Sequence, residues 1–214
     1  MGPLEVIVRT GVLPIARGVP REVVLRAARI LAGVGINVIE ITVDSPDAFA
    51  TIHALRRLDD SLMVGAGTIR TATLARQAAE AGAQFLVTPH VDAAVAAEAQ
   101  ALELPVILGA LTPTEIMDAR AKGAELVKVF PAAPLGAEYV RQILAPLREV
   151  PLVPTGGITP ANALDFISAG AVAVGIGSAL LGPRAADAQW LSAQAQALTG
   201  AVQQGRQSRA SRHA

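Results

Sequence analysis

The feature that most constrains the fold of this chain is a repeat marked by four glycines. Gly35, Gly82, Gly123 and Gly170 each end an Ala-rich amphipathic stretch, at intervals of 47, 41 and 47 residues, and a β-branched run follows each of them. Glycine at such a place is typical of the left-handed end of a helix that turns at once into a strand. Each interval is long enough for two strand–helix units, so the repeat predicts eight units.

The predicted strands are short and apolar on both faces. This pattern is typical of buried parallel strands, which helices cover outside and a packed interior fills inside. Eight units in 214 residues predict a single (β/α)8 TIM barrel near the short end of its size range, with an open doubly wound sheet as the alternative. We place the strands at 13–16, 38–43, 63–66, 85–88, 106–108, 126–130, 152–154 and 172–176.

The helices between these strands have recognisable starts, and the domain has a predicted limit. Polar residues or prolines that favour a helix N-terminus stand at Ser45-Pro46, Thr71, Asp92, Thr112-Pro113-Thr114-Glu115 and Thr159-Pro160. We expect the barrel to span residues 1–200. Residues 201–214 are rich in Gln, Arg and Ser without an apolar period, so we expect a disordered polar tail there.

Composition excludes several classes of protein. The chain has no Cys, which removes disulfides, thiolate metal sites and a Cys nucleophile. Its 18 basic and 18 acidic side chains balance, which disfavours a nucleic-acid partner. Charged residues interrupt the first thirty positions, and the uncharged stretch 166–183 holds four glycines, which favour a buried turn–strand–turn over a membrane span. We therefore expect a cytoplasmic protein without a membrane partner.

Lys128 is one of only two lysines beside 16 arginines, and it stands inside the apolar run LVKVFP at 126–131. An ammonium in a buried strand loses solvation unless it is paired or deprotonated, and a neutral amine is a nucleophile. Near the C-terminal end of a barrel strand, this amine could form a Schiff base with a carbonyl substrate. The alternative is a lysine paired with a buried carboxylate that only holds the core.

Glu40 is the second charged residue in an apolar strand, within VIEITV at 38–43. Strand alternation puts Val38, Glu40 and Thr42 on one face, which we expect to be the barrel interior near its mouth, where Lys128 also points. A carboxylate beside an imine can move the protons that aldol chemistry requires, so Glu40 is the candidate general acid/base. Its alternative role is a structural partner of Lys128 or of an arginine.

Glycine-rich loops follow three predicted strands, at 65–68, 155–158 and 175–178. The last two follow predicted strands seven and eight, where TIM barrels often bind phosphate, so Thr155 and its neighbours predict a phosphorylated substrate. Sequence motifs for dinucleotide, ATP, zinc-protease and hydrolase sites are missing. The histidines His53, His90 and His213 lack the spacing of a metal site, so we expect no metal.

Taken together, six segments resemble the KDPG/KHG aldolase family, in order over about residues 13–181. These segments are EIT at 40–42, GAGT at 65–68, FLVTP at 85–89, TPTE at 112–115, KVFPA at 128–132 and PTGGI at 154–158. The resemblance implies a cofactor-free class I aldolase, with members that are trimeric barrels. It implies reversible cleavage of 2-dehydro-3-deoxy-6-phosphogluconate to pyruvate and glyceraldehyde 3-phosphate, and often of 4-hydroxy-2-oxoglutarate to pyruvate and glyoxylate.

The resemblance also implies roles for individual residues. It makes Lys128 the Schiff-base nucleophile and Glu40 the proton shuttle. Around the pyruvyl group and its carboxylate it places Thr68, Pro89, Phe130 and Arg17, and at the phosphate end Gly156, Gly157, Gly177 and Ser178. A guanidinium is well suited to bind a keto-acid carboxylate through two hydrogen bonds.

One position departs from the pattern of the gluconate-type members. Many of them carry Arg four residues after the catalytic Glu, whereas this chain has Asp44. The segment Asp44-Ser45-Pro46 is more similar to the galactonate-specific branch, which leaves the 6-phosphogalactonate substrate as an alternative. Asp44 could bind a substrate hydroxyl or cap the next helix. A barrel that binds a phosphorylated keto acid without turning it over is a further alternative.

Overall fold

The computed structural model describes residues 1–211, in which eight parallel strands form one sheet. The strands are β1 (Val12–Ala16), β2 (Val38–Thr42), β3 (Met63–Gly67), β4 (Leu86–Val87), β5 (Val106–Ala110), β6 (Leu126–Val129), β7 (Leu152–Pro154) and β8 (Val174–Ile176). The helices are α1 (Pro3–Thr10), α2 (Arg21–Gly33), α3 (Ala48–Arg56), α4 (Ala72–Glu80), α5 (Ala93–Ala101), α6 (Pro113–Ala121), α7 (Gly136–Leu144), α8 (Ala163–Ser168) and α9 (Ala188–Ala210).

The sheet curls into a nearly closed barrel. Each strand from β1 to β6 pairs in parallel with the next one along the chain, and β1 also pairs with β8. The remaining seam, between β7 and β8, is crossed by a parallel bridge between Thr155 and Gly175 and by a hydrogen bond of 3.1 Å from the Val172 amide to the Leu152 carbonyl. The predicted TIM barrel is confirmed, and the open sheet is excluded.

The glycine repeat has the predicted geometry. Gly35, Gly82, Gly123 and Gly170 have φ angles of 85°, 94°, 88° and 117°, the left-handed region in which a side chain would be strained. After α2, the amide of Gly35 donates to the carbonyl of Ala32 at 2.9 Å, which satisfies an end carbonyl of the helix. These positions therefore end helices because only glycine tolerates the turn into the next strand.

Three of the predicted helix starts are confirmed. The side chains of Thr71, Asp92 and Thr112 accept hydrogen bonds from the first-turn amides of α4, α5 and α6. In α6 the Glu115 carboxylate also accepts from the Thr112 amide at 2.8 Å, which completes a capping box. The other two starts are displaced, since α3 begins at Ala48 and α8 at Ala163.

The N-terminal helix α1 has no counterpart in the predicted repeat. Its apolar face is buried through Leu4, Val6 and Ile7, and it contacts β1, β2 and β3. Because α1 leads directly into the start of β1, it covers the barrel end at which the strands begin. The loops that follow the strands lie at the opposite end of the barrel, where the strands finish.

The expectation of a disordered tail from residue 201 is wrong as far as Ala210. Helix α9 runs on to that residue, and Leu198, Val202 and Gly205 are buried along one face. This face packs on α2 and α8, and a Cβ at Gly205 would lie 2.8 Å from Ile167 Cβ. The apolar period continues with small residues that a hydropathy pattern underweights. Residues 212–214 lie outside the described part.

Among the helices of residues 1–211, α9 included, we find none that combines the length and apolar character needed to cross a membrane. The expected cytoplasmic location stays a prediction from the sequence.

Candidate active site

A cavity of about 460 Å³ opens at the end of the barrel where the strands finish. The sequence-predicted residues Arg17, Lys128, Phe130, Thr155, Gly156, Gly157, Gly177 and Ser178 all line it, together with Ile15, Ile158, Thr159 and Ala179. The lining comes from β1, β6, β7 and β8 and the loops that follow them. Parallel strands bring these residues together because their carboxyl ends meet on one side of the barrel.

Lys128 is the third of the four residues of β6, near the end of the strand, and its side chain is only 6% exposed. Its neighbours in register are Gly109 on β5 and Val153 on β7. Within residues 1–211 its ammonium forms no salt bridge, and its Nζ atom lies 5.2 Å from the centre of the Phe130 ring. The amine is therefore held in an apolar wall with access to the cavity, as a nucleophile requires.

Glu40 lies on β2 and is completely buried, and neither of its carboxylate oxygens has a hydrogen-bond partner. Burial raises the pKa of Glu40 above its ordinary value, since the charged form loses solvation. The nearby charges of Lys128 and Arg17 lower this pKa, and that of Asp44 raises it. The carboxyl is thus close enough to the amine for the charge of Lys128 to act on it, and its burial favours the protonated form.

Two glycines make room for these groups. A Cβ on Gly67, at the end of β3, would overlap the Oε1 atom of Glu40. A Cβ on Gly109 would overlap the backbone of Pro89, which passes over the end of β5 beside Lys128. Glycine at 67 therefore accommodates the carboxyl, and glycine at 109 leaves room for the backbone of the loop that carries Pro89.

Arg17, Asp44 and Thr68 form a cluster at the barrel mouth. The Nη1 atom of Arg17 lies 2.5 Å from Oδ2 of Asp44, and Nη2 donates to Oγ1 of Thr68 at 2.8 Å. Thr68 has a φ of 61°, a left-handed conformation that is strained for a β-branched residue. The cluster joins the loops after β1, β2 and β3.

Ser45, where the sequence predicts a helix start, makes contacts in the structure other than a helix cap. Ser45 Oγ accepts a hydrogen bond from the Gly18 amide at 2.8 Å and lies 2.9 Å from Thr42 Oγ1. The N-cap of α3 is instead Asp47, whose side chain makes no capping bond. Ser45 thus connects the loop after β2 to the loop after β1, and it stabilises these loops at the barrel mouth rather than the start of α3.

The loops after β7 and β8 form the other side of the cavity. Gly156 and Gly157 have φ angles of 91° and 74°, which turn the backbone sharply at this point. Within residues 1–211, the amides of Gly157, Ser178 and Ala179 have no protein acceptor. Free backbone N–H groups on a glycine-rich loop are what a phosphate group requires.

Three predicted residues do not line the cavity themselves. Glu40 pairs in register with Ile15 of the lining, Thr68 accepts a hydrogen bond from Arg17, and the backbone of Pro89 lies against Gly109 of β5. Phe130 lines the cavity and is 41% exposed. Sequence reasoning missed Thr88, which is fully buried and supports the loop after β4. Its Oγ1 accepts from the Gly109 amide at 3.0 Å and donates to the His90 carbonyl at 2.6 Å.

A TIM barrel with a buried amine and a buried carboxyl beneath its mouth has the parts of an enzyme that works through a Schiff base. Comparison with known proteins agrees with this class. A family model described as KDPG and KHG aldolase matches residues 5–195. The chain belongs to this family, whose members are class I aldolases and therefore carbon–carbon lyases.

Two curated relatives differ in the sugar acid that their names give. A probable 2-dehydro-3-deoxy-6-phosphogalactonate aldolase of Rhizobium meliloti is 32% identical over 80% of this chain and 82% of its own length. A 2-dehydro-3-deoxy-phosphogluconate aldolase of Treponema pallidum is 36% identical over 77% of this chain and 79% of its own. Both relatives thus share the family of this chain, and their names give two different sugar acids.

Two solved structures of similar proteins carry ligands. The 2-keto-3-deoxy-6-phosphogluconate aldolase of Zymomonas mobilis, with 3-phosphoglycerate, is 28% identical, with a TM-score of 0.82 over 91% of this chain and 93% of its own. The KDPG aldolase of Legionella pneumophila, with pyruvate as a covalent carbinolamine, is 26% identical, with a TM-score of 0.82 over 94% of this chain and 98% of its own.

Proposed function

We propose that this aldolase cleaves 2-dehydro-3-deoxy-6-phosphogluconate to pyruvate and glyceraldehyde 3-phosphate, and 4-hydroxy-2-oxoglutarate to pyruvate and glyoxylate. The proposal rests on one observation: a buried amine and a buried carboxyl lie inside the same barrel, and neither has a hydrogen-bonded or ionic partner in the described chain. Lys128 has an amine without a salt bridge in the described chain, and Glu40 has a carboxyl without a hydrogen bond. Each group is costly to the fold, and a Schiff-base mechanism uses both.

In the cleavage direction, Lys128 Nζ attacks the C2 carbonyl of the keto acid, and the carbinolamine loses water to give a protonated imine. Deprotonation of the C4 hydroxyl then breaks the C3–C4 bond and releases the aldehyde, while the bonding electrons pass into the imine as an enamine. Protonation of the enamine at C3 and hydrolysis of the imine release pyruvate. Glu40 takes and returns the protons, a function that suits a carboxyl whose pKa burial has raised.

The two sides of the cavity fit the two anionic ends of such a substrate. Arg17 supplies N–H groups for the carboxylate next to the reacting carbonyl. The free amides of Gly157 and Ser178 supply donors for the phosphate. A substrate that spans the cavity would then hold its carbonyl over Lys128.

The 6-phosphogalactonate compound is the second candidate substrate. Asp44-Ser45-Pro46 and the relative from Rhizobium meliloti favour it. The two phosphorylated acids differ only in configuration at the carbon that becomes the aldehyde, so the cleavage rates decide between them. We would compare kcat/KM for both phosphorylated acids and for 4-hydroxy-2-oxoglutarate, with pyruvate release as the readout.

The first prediction tests the Schiff base itself. Incubation with pyruvate and borohydride is expected to add one reduced pyruvyl group to the chain, and peptide mass spectrometry is expected to find it on Lys128. The Lys128→Ala variant should take up none. Because Lys122 is the only other lysine of the chain, Lys122→Ala is the matched control and should be labelled normally.

Absence of the adduct from the folded wild-type protein would contradict the imine mechanism. Calorimetric binding of the phosphorylated keto acid together with no pyruvate release would instead favour a binding barrel without turnover.

A further inference from the structure

Asp44 is the charged residue at the barrel mouth to which the proposed mechanism gives no role. Its side chain is 39% exposed, and its Oδ2 atom accepts a hydrogen bond from Nη1 of Arg17 at 2.5 Å. Oγ1 of Thr68 accepts a hydrogen bond from Nη2 of Arg17 at 2.8 Å. Arg17 follows β1, Asp44 follows β2 and Thr68 follows β3. The guanidinium is therefore held by side chains from the loops after the next two strands.

The guanidinium keeps donors free after these two contacts. Arginine has five N–H groups in a rigid plane, and Asp44 and Thr68 engage two of them. Arg17 lines the cavity, whereas Asp44 does not. Asp44 thus contacts Arg17 from outside the cavity, and the guanidinium is left with donors for a ligand inside it.

We propose that Asp44 is the positioning residue of Arg17, which it holds against Thr68 so that the free N–H groups meet the substrate carboxylate. This inference rests on the proposed function, in which Arg17 binds that carboxylate. An arginine side chain that is fixed before binding loses less conformational entropy when the ligand arrives. The gain appears in the affinity for the keto acid rather than in the rate of the chemical step.

The contacts disfavour the two other roles considered for Asp44. It does not cap α3, because the N-cap of that helix is Asp47. Direct contact with a substrate hydroxyl is disfavoured because the Asp44 carboxylate is already bound to Arg17.

Asp44 also acts on the charge balance around Glu40. The charged groups that influence Glu40 are Lys128 from β6, Arg17 from the loop after β1 and Asp44 from the loop after β2. Asp44 raises the pKa of Glu40 and so opposes the effect of the guanidinium. Loss of the Asp44 charge should therefore lower this pKa and move the acidic limb of the kcat/KM profile to lower pH.

The test measures the pyruvate concentration that gives half-maximal borohydride trapping on Lys128, and the KM and kcat of cleavage. Asp44→Ala is expected to raise the half-saturating pyruvate concentration and KM about fivefold with little change in kcat, since the lost contact is a partly exposed ion pair. Asp44→Asn keeps an acceptor oxygen and should fall between the wild type and Asp44→Ala, with the acidic limb displaced to lower pH. Asp47→Asn removes a charge from the same exposed loop without touching Arg17, so it should change neither quantity.

A double-mutant cycle separates positioning from a general effect of charge. In an Arg17→Ala background, Asp44→Ala should add less than about twofold to the half-saturating concentration, because the residue it positions is gone. A fivefold change that persists in this background, or wild-type affinity in Asp44→Ala, would overturn the inference. These outcomes are distinct from failure of the proposed function, which would appear as no trapping in the wild type at saturating pyruvate.

Discussion

At the scale of single residues, Glu40 shows how the site costs stability to the fold. A fully buried carboxyl without a hydrogen bond has lost its water and gained no partner. Burial therefore raises its pKa, so the folded chain binds this proton more tightly than the unfolded chain does. As pH rises above the ordinary value of 4.5 toward and through the raised value, the folded state loses stability relative to the unfolded state.

We predict that Glu40→Gln lowers kcat by about 10²–10⁴-fold, because the amide cannot exchange the proton. The same variant should gain stability relative to the wild type as pH rises above 4.5, the ordinary value of the glutamate pKa. The difference in unfolding free energy should grow by at most ~1.4 kcal/mol per pH unit, the limit for one proton. Urea unfolding at each pH measures it. Glu149→Gln, on the exposed surface, should show no such growth, and a flat difference for Glu40→Gln would contradict the argument.

The sequence could predict which residues carry the chemistry better than how they contact each other. Lys128 and Glu40 are conspicuous because each interrupts an apolar strand. Arg17 and Asp44 meet across 27 positions, and the contact depends on adjacent strands and on side-chain rotamers that no local pattern encodes. The sequence therefore marks Asp44 as a departure from a family pattern but does not identify it as the partner of Arg17.

At the scale of elements, helix α9 extends the barrel beyond its predicted limit. Val202 is buried and Gln203 is exposed on consecutive residues of this helix. We predict that Val202→Asp lowers the unfolding free energy by about 3 kcal/mol or more, because it buries an unpaired charge. Gln203→Asp should change it by less than about 0.5 kcal/mol. Thermal and urea unfolding measure both, and equal behaviour of the two variants would mean that this segment does not pack.

The strands and helix ends were predictable because they rest on short-range chemistry, namely apolar runs, glycine turns and polar caps. Helix α1 was not predicted, since its eight residues lie before the first repeat and its buried face packs on the start of the barrel strands. The end of α9 was missed for a related reason. Its buried position Gly205 contributes through close approach to Ile167 of α8 and not through its own hydropathy.

At the scale of the whole molecule, we propose the trimer that the family resemblance implies. The apolar side chains of Met117 and Leu135 are 46% and 42% exposed, which fits a surface that another chain could cover. We predict a species of three chains, each of 21.9 kDa, in sedimentation equilibrium at micromolar concentration. A single-chain mass over the whole concentration range would contradict the assembly and would leave the chemistry of the barrel untouched.

The contact between α9 and α1 has a practical consequence. Nη1 of Arg206 donates to the carbonyl of Arg9 at 2.9 Å, so the last turns of α9 meet the end of α1 on the side where the barrel strands begin. An anchor attached near either segment would therefore sit beneath the molecule. An enzyme molecule immobilised on a solid support in this way would have its barrel mouth facing away from the support and toward the solution.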